Sequence, residues 1–594
     1  MNKKIRIGCA SGFWGDTYIA APQIIEKGDV DYLVFDYLSE VTMSILAGAK
    51  SKNSKDGYAK DFINHIGPLL KKIKQKKIKV ISNAGGVNLD ACKKALIDEA
   101  EKKNINLKIA TVEGDDLIDS QDKLSKMNVK EIDSEKSLPE NLLSINVYLG
   151  ANPIKRALDL GADIVLTGRC VDSALALGPL MHEFKWGTSE LDLLASGSLV
   201  GHIIECGAQV TGGNFTDWES VNNFANIGFP VVEVEQNGDF IVTKPKGTGG
   251  MVNFGTVAEQ LLYEIGDPKA YILPDVICDF TEVEITDLGK DRVHVTGAKG
   301  YAVPLSYKVS ATYHNGFKSV ATLVIGGQKA VKKAYSIGNS ILKRVEYLFK
   351  KNNFSNFKKI NLSVIGSDDI KDLKITSGSN EVVMRLAVAH ENKEALIIFS
   401  REIAQAATGM APGVMNYLGG RPSISPLIKL YSFLINKENI NCSVNLDSIK
   451  EKTKSNSIEH YEPILRSDFA ILGQPAKSLD FEVPLIKLAY ARSGDKGNHV
   501  NIGVISRKSD YFPFIKDSLN MDIIAKQLKN ISKESILCWE LPKIYGLNFL
   551  LKNCLDGGGM SSLLLDPQGK GYAQNFLNIK ISVPESIYNE VICV

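Results

Sequence analysis

Apolar and polar residues follow two different periods along this chain, and the change of period divides it. Over roughly the first third, short apolar runs rich in Val and Ile recur: "IRIGCA" (5–10), "DYLVFD" (31–36), "KVISNA" (79–84), "LKIATV" (107–112) and "DIVLTG" (163–168). Runs with no internal alternation are expected of strands covered on both faces, as in a parallel sheet. Between them lie stretches of helical period, such as "DFINHIGPLLKKIKQKK" and "DACKKALIDEAEKKN", with lysines on the solvent side. Strand and helix in alternation predict an α/β architecture with a mainly parallel sheet and flanking helices.

From about residue 275 the texture shifts toward period two. "DFTEVEITDLGKDRVHVTGAKG" and "YKVSATYHNGFKSVATLVIGG" predict antiparallel strands joined by turns containing Gly and Asn. A helix ("KKAYSIGNSILKRVEYLFKK"), a strand ("INLSVIG") and a further βα pair complete an α+β middle lobe. Residues 446–463 are polar and lysine-rich and predict a linker. The last stretch predicts strands near 484–492 and 498–506, a helix near 513–529 and a closing strand "LNIKISV", a small ferredoxin-like α+β domain. The expected domains are 1–275 (α/β, ligand-binding), 276–445 (α+β lobe), 446–480 (linker) and 481–594 (ferredoxin-like).

Composition narrows the function classes. A chain of 594 residues exceeds one ordinary core, and 44% hydrophobic with 23% charged residues is a globular balance. A net charge of +2 offers no field for nucleic acid or an anionic membrane, and no apolar run approaches the ~20 residues of a membrane-crossing helix. Nine scattered cysteines without a C-x-x-C pair argue against a zinc ribbon or disulfide framework. Eight dispersed histidines without H-E-x-x-H argue against a His-based metal site. Together with a start that lacks a leader-like pattern, this usage predicts a cytoplasmic location.

The ends of the five predicted strands carry the candidate chemistry. Ser11, Gly12 and Asp16 ("SGFWGD") follow the first, and Asp36 and Glu40 the second. Asn83, Gly85 and Gly86 ("NAGGVN") follow the third, Asp115 and Asp116 ("EGDD") the fourth, and Arg169 and Asp172 ("TGRCVDS") the fifth. Loops beyond the carboxyl ends of parallel strands share one sheet edge, where α/β proteins bind ligands. Each loop alone is ordinary cap and turn chemistry; five together predict a site, with the Gly85–Gly86 backbone brought close to a ligand. None has the spacing of a dinucleotide fingerprint or a P-loop, so NAD and ATP are not supported. Asp115 and Asp116, with Asp16 and Asp36, read three ways: oxygen ligands for Mg²⁺, acid/base carboxylates, or helix caps. Arg169 at the end of a buried strand is expected to pair with a carboxylate, Asp172 or a substrate's. Cys170 beside it reads as an inert buried thiol.

Further along, His202, Glu205 and Gln209 share a helical face leading into Gly212 and Gly213. Lys244 and Lys246 precede Gly249 and Gly250 ("KPKGTGG"), a combination suited to a phosphate or a thioester-bound carboxylate, or else a tight turn with solvated lysines. "YARSGDKGNHVNIGV" brings Arg492, Asp495 and Lys496 into what reads as a connection too long for a two-residue hairpin turn. With "LDGGGMSSLLLDPQGKGY" it either completes a ligand site or forms a subunit interface.

These motifs resemble the acyclic terpene utilisation family, AtuA, nearly end to end. "SGFWGD", "DYLVFDYLSEVTMSIL", "NAGGVN", "VEGDD", "NVYLGANPI", "GADIVLTGR", "GHIIECGAQVTGGNF" and "KPKGTGG" are similar to its large N-terminal domain, and "LAYARSGDKGNHVNIGV" to its ferredoxin-fold domain. The resemblance implies a place in the catabolism of citronellol- and geraniol-type compounds, run on CoA thioesters. It carries over no catalytic residue.

Three functions follow. The favoured one is an enzyme on a carboxylic acid or its CoA thioester that adds or removes water or shifts a double bond. Asp36, Glu40 and Asp172 would supply carboxylates, and Arg169, Asn83 and the Gly85–Gly86 amides the donors. The second is a non-catalytic subunit binding an acyl-CoA or a partner enzyme; the third is an Mg²⁺-dependent hydrolase. The expected partners are a small-molecule substrate, with CoA as part of it, and further copies of the chain in a homo-oligomer, with neither nucleic acid nor membrane.

Overall fold

The computed structural model describes residues 3–366, 379–453, 481–528 and 531–592. The chain divides into two compact units, Met1–Thr312 with Tyr431–Cys554 and Gly569–Val594, and Tyr313–Leu430 with Leu555–Gln568.

The first unit is built on an eleven-stranded mixed sheet. Its centre is the five predicted strands, Lys4–Cys9, Tyr32–Phe35, Lys79–Ser82, Ile109–Glu113 and Ile164–Thr167, all parallel and ordered first-second-third-fifth-fourth. Every residue of Tyr32–Phe35 and of Ile164–Thr167 is buried, which is why these runs lack alternation. Helices cover the sheet through apolar stripes: Leu89–Glu101 buries Cys92, Leu96 and Ala100 at four-residue intervals, and the Asn88 side chain caps its start. The helix Leu191–Ile204 is buried almost throughout from Leu194 on, as its nearly unbroken small and apolar composition demands.

Antiparallel strands extend both flanks. Val231–Glu235, Phe240–Thr243, Val293–Thr296 and Glu284–Asp287 continue outward from the first strand, and Cys442–Leu446 and Ile449–Thr453 from the fourth. The expected boundaries at 275 and 445 therefore do not coincide with the units, because strands on either side of them return to the N-terminal sheet. Residues 449–453, read as linker, form the outermost strand; polar lysine-rich sequence suits an edge with one open face. The remainder of that predicted linker, 454–480, lies outside the described residues.

"YKVSATYHNGFKSVATLVIGG" differs from expectation. It is one strand, Ser306–Gly326, and not a hairpin turning at Asn315-Gly316. Its early part pairs with Leu142–Val147, while Phe317–Gly326 pairs with Glu381–His390, so each half already has a partner other than itself. In the second unit this later part joins Lys359–Ile365, Glu381–His390 and Val414–Tyr417 in an antiparallel sheet. The helix Ala330–Lys351 seals it, burying Ala334, Ile337, Ile341, Val345 and Phe349 against Leu396 and Phe399.

The C-terminal strands Ala489–Lys496, His499–Ser506, Gly546–Leu551 and Ile536–Leu541 make a four-stranded antiparallel sheet within the first unit. The polar run expected to be a long connection is itself strand: Lys496 pairs with His499 across the two-residue turn Gly497-Asn498. Its polar residues are tolerated because each finds a partner, Arg492 with Glu259 and the Ser493 hydroxyl with the Gly569 carbonyl at 2.6 Å. The single helix expected near 513–529 is two, Phe512–Ser518 and Met521–Leu528, with the Asn520 side chain accepting from the amides of Asp522 and Ile523.

Candidate functional site

The five strand-end loops share one edge and behave in two ways. Some are closed upon protein. Asp16 folds its own loop, its carboxylate accepting from the amides of Gly12 (2.9 Å) and Thr17 (2.7 Å), while the Ser11 hydroxyl donates to Phe13 and Asp36 carbonyls. The Gly85 amide donates to the Thr167 carbonyl at 3.1 Å. A Cβ on Gly85 would stand 2.7 Å from that oxygen. The Gly86 amide donates to the Asn83 carbonyl. The glycines of "NAGG" let backbone approach backbone, and their amides are not the donors expected for a ligand.

The glycine turns of the middle section are closed in the same way. The amide of Gly212 goes to Gln209 and that of Gly213 to Ala208; Gly249 donates to Asn226 and Gly250 to Asn222. Lys244 is tucked in, 3.0 Å from Asp291 and 3.1 Å from the Thr248 carbonyl, and is not offered to an anion. Arg492 meets Glu259 at 2.9 Å, both side chains almost wholly buried, and donates to the Gly213 carbonyl at 3.0 Å, while its buried Nε has no hydrogen-bond partner.

The other loops converge. Asn83 donates from Nδ2 to Asp36 at 2.7 Å and accepts from the Tyr37 amide at 2.8 Å. Burial, with Asp172 nearby, pushes the Asp36 carboxyl well above the usual range, against the pull of Arg169 and Asn83. Arg169 is buried, donates to Asp172 at 2.5 Å and to the Cys170 carbonyl at 2.9 Å, and lies 4.2 Å over the Tyr148 ring. Asp115 pins this loop: it accepts from the Arg169 amide at 2.7 Å and from Asn146 Nδ2 at 3.1 Å. Burial lifts its carboxyl to about 7, against those two bonds. Of the acidic run, Asp116 closes a local turn, accepting from the Ile118 amide two residues on at 3.0 Å, and is not the cap of the short helix Ile118–Ser120. Among the described residues no group of three or more His, Cys, Asp or Glu is arranged to hold a metal ion.

Glu40, the first residue of the helix Glu40–Lys52, faces the same place. It accepts from the Tyr148 hydroxyl and stands 3.5 Å from Lys308. Burial raises its carboxyl, but Lys308, Arg169 and the Tyr148 hydroxyl outweigh that and hold it down at about 2. Glu40 is about 30% exposed and Lys308 about 42%, although protein hems both in; they stand at the wall of a cleft. Burial keeps Tyr148 protonated.

Sequence reading missed much of this wall. Ser144 and Asn146 of Leu142–Val147, with Tyr148 just beyond, alternate with buried apolar residues, and so do Lys308, Ser310 and Thr312 of the neighbouring strand. The two polar faces meet, Ser144 bonding Thr312 at 2.6 Å and the Tyr148 amide reaching the Lys308 carbonyl at 3.0 Å. Ser144, Asn146, Tyr148, Ser310 and Thr312, together with Glu40, Met43 and Arg169, line a small pocket of about 10 Å³, partly open to solvent, with Lys308 beside it against Glu40 and the Tyr148 ring. The available signal was period-two polarity in "LLSINVY" and "SYKVSAT", whose polar face is buried with the site.

Asp495 and Lys496, at the end of their strand, lie within electrostatic reach of Glu40. Lys496 lies 5.0 Å from the centre of the Tyr271 ring and within electrostatic reach of Lys308, Glu264, Glu205 and Glu40. Burial and Lys308 lower its ammonium pKa. Asp495 is lifted to about 7 by burial and Glu264, opposed by Lys570 at 3.7 Å. Burial also lifts Glu205 to about 6, against its bond to His202. The structure thus gathers Asp36, Glu40, Asn83, Asp115, Arg169, Asp172, Asp495 and Lys496. It leaves Ser11, Gly12, Asp16, Gly85, Gly86, Gly212, Gly213, Lys244, Gly249, Gly250 and Arg492 in loop closure and packing.

A mixed α/β sheet with charged loops at the carboxyl ends of its parallel strands, joined to a ferredoxin-like domain, defines the class of protein. Residues 5–446 match the acyclic terpene utilisation family protein AtuA, and residues 483–582 the AtuA ferredoxin-like domain. The chain belongs to the AtuA family. No curated protein matches it. Among the described residues, no helix is long and apolar enough to cross a membrane.

Proposed function

We propose that this AtuA-family chain is a catabolic enzyme of the lyase/hydratase or isomerase type, acting on a carboxylic acid or its CoA thioester. The arrangement that carries the reading is a pair of carboxyl groups, Asp36 and Glu40, shifted in opposite directions around one guanidinium. Burial and Asp172 raise Asp36 above the usual carboxyl range, Lys308, Arg169 and the Tyr148 hydroxyl hold Glu40 down at about 2, and Arg169 acts on both. Carboxyls separated in this way supply a proton donor and a fixed negative charge at one working pH.

Arg169 and Tyr148 line the pocket and Lys308 stands beside Glu40 and the Tyr148 ring, donors suited to a carboxylate or to the oxyanion of an enolate. The pocket is small, so a substrate would place only one small group in it and leave the acyl chain or CoA outside. CoA then enters only as part of the substrate.

The test is turnover and α-proton exchange in D₂O across a panel of free acids and CoA thioesters. Asp36→Asn and Arg169→Met are each expected to lower the rate by about 100-fold or more. Rates equal to wild type in both variants would end the proposal. Loss of wild-type turnover in EDTA would turn it toward the Mg²⁺-dependent reading.

A further inference from the structure

Lys496 carries an amine that the protein leaves uncommitted. Among the described residues it makes neither a hydrogen bond nor an ion pair, and its nitrogen lies 5.0 Å from the centre of the Tyr271 ring. Lys79, Lys318 and Lys437 are desolvated too, but each is spent on a backbone carbonyl, at 2.7, 2.6 and 2.7 Å. Lys496 ends the strand Ala489–Lys496 with its side chain exposed, so a small molecule can reach it. Protein nevertheless hems it in, and burial with the Lys308 cation lowers its pKa. Loss of hydration and a neighbouring cation are the two means by which a lysine becomes a nucleophile.

A proton donor belongs to the same cluster. Nε2 of buried His202 faces the Leu261 carbonyl at 3.2 Å; that oxygen only accepts, so Nε2 carries a hydrogen. Nδ1 meets Glu205 at 3.2 Å, a contact that needs one further proton, held between the two. Glu205 is within electrostatic reach of Lys496, and the Tyr271 ring neighbours His202, centre to centre 5.9 Å.

We infer that Lys496 is a nucleophile that forms an imine with the oxo group of an oxo acid or of its CoA thioester. The nitrogen lone pair attacks the oxo carbon, and the C–O π pair moves to oxygen. That oxygen takes one proton from the nitrogen and one from Glu205 and leaves as water, giving a protonated imine. Water later adds back, releasing the oxo product and the amine. The inference rests on the proposed function and deepens it, pointing to a lyase. The positive nitrogen takes up the electron pair of a bond broken at the carbon beside the imine.

The experiment is reductive trapping of the full chain near neutral pH. The probes are acetoacetate, 2-oxobutyrate, 2-oxooctanoate and acetoacetyl-CoA, with butyrate as the control that lacks an oxo group. Each is added with and without sodium cyanoborohydride, and adducts are mapped by peptide mass spectrometry. Wild type is expected to gain one reduced adduct, at Lys496, formed at least about tenfold faster than at any other lysine. Lys496→Arg is expected to abolish it, and Glu205→Gln to slow it about tenfold or more. Mapping in wild type decides the matter even where a variant fails to fold. No adduct, or even labelling of many lysines, overturns the imine alone and leaves the acid/base reading to its own measurement of turnover and α-proton exchange. An unchanged rate in Glu205→Gln overturns the part given to Glu205. A mapped Lys496 adduct without turnover of any acid upholds the nucleophile and overturns the proposed activity.

Discussion

At Gly249–Gly250 the backbone amides are taken by the Asn226 and Asn222 carbonyls, and nearby Lys244 is taken by Asp291. At the sheet edge, Arg169 Nε and Asn146 Oδ1 are equally buried and are taken by nothing in the protein. Both regions carry glycine or charge in turns beside regular structure, yet one is complete and the other is not. Folding satisfies backbone groups first, because each residue brings a donor and an acceptor that must be answered when buried. Glycine density therefore reports how closely chain approaches chain.

The contrast can be broken most severely at Arg492. Arg492→Ala leaves Glu259 buried without its cation, and the expected cost is about 3–5 kcal/mol in urea unfolding. A change under about 1 kcal/mol would mean that the pair is not part of the closed framework.

Asp115 tests the open region through pH. Its folded pKa, about 7, lies above the ordinary 3.8, so the folded state holds the proton more tightly. That contribution is complete below the ordinary value and is lost as pH rises toward 7. The stability of wild type relative to Asp115→Asn should fall over that window, by roughly 4 kcal/mol at most. Parallel stability curves for the two proteins would show that the Asp115 carboxyl titrates normally and that its burial is not felt.

The smallest effect is expected at Gly249→Ala. The new Cβ would meet the Asn223 carbonyl oxygen at 2.2 Å, at a cost of about 1–3 kcal/mol. Ligand affinity per folded molecule should stay at the wild-type value. A selective loss of affinity without loss of stability would return this turn to the list of binding loops.

How much was legible in the sequence follows from these particulars. The parallel strands were readable because burial on both faces removes alternation, and Asp36, Glu40, Arg169 and Asp172 were readable because strand ends share an edge. Tyr148 and Lys308 were not: Leu142–Val147 is bonded to the fourth strand's loop by the Val147 amide and the Asp115 carbonyl, and Lys308, far off in sequence, joins only through pairing of that strand with Ser306–Gly326. Gly85, Lys244 and Arg492 were misread for the converse reason: their partners, Thr167, Asp291 and Glu259, are tens to hundreds of residues away.

Local pattern by itself determined the α/β class, the ferredoxin-like close of the chain and the family, all of which depend on period and on ordered motifs. Only the tertiary structure decided which polar groups are spent on the protein and which are left over. That distinction is made by contacts between distant segments, where burial and charge are set by neighbours that no local window contains.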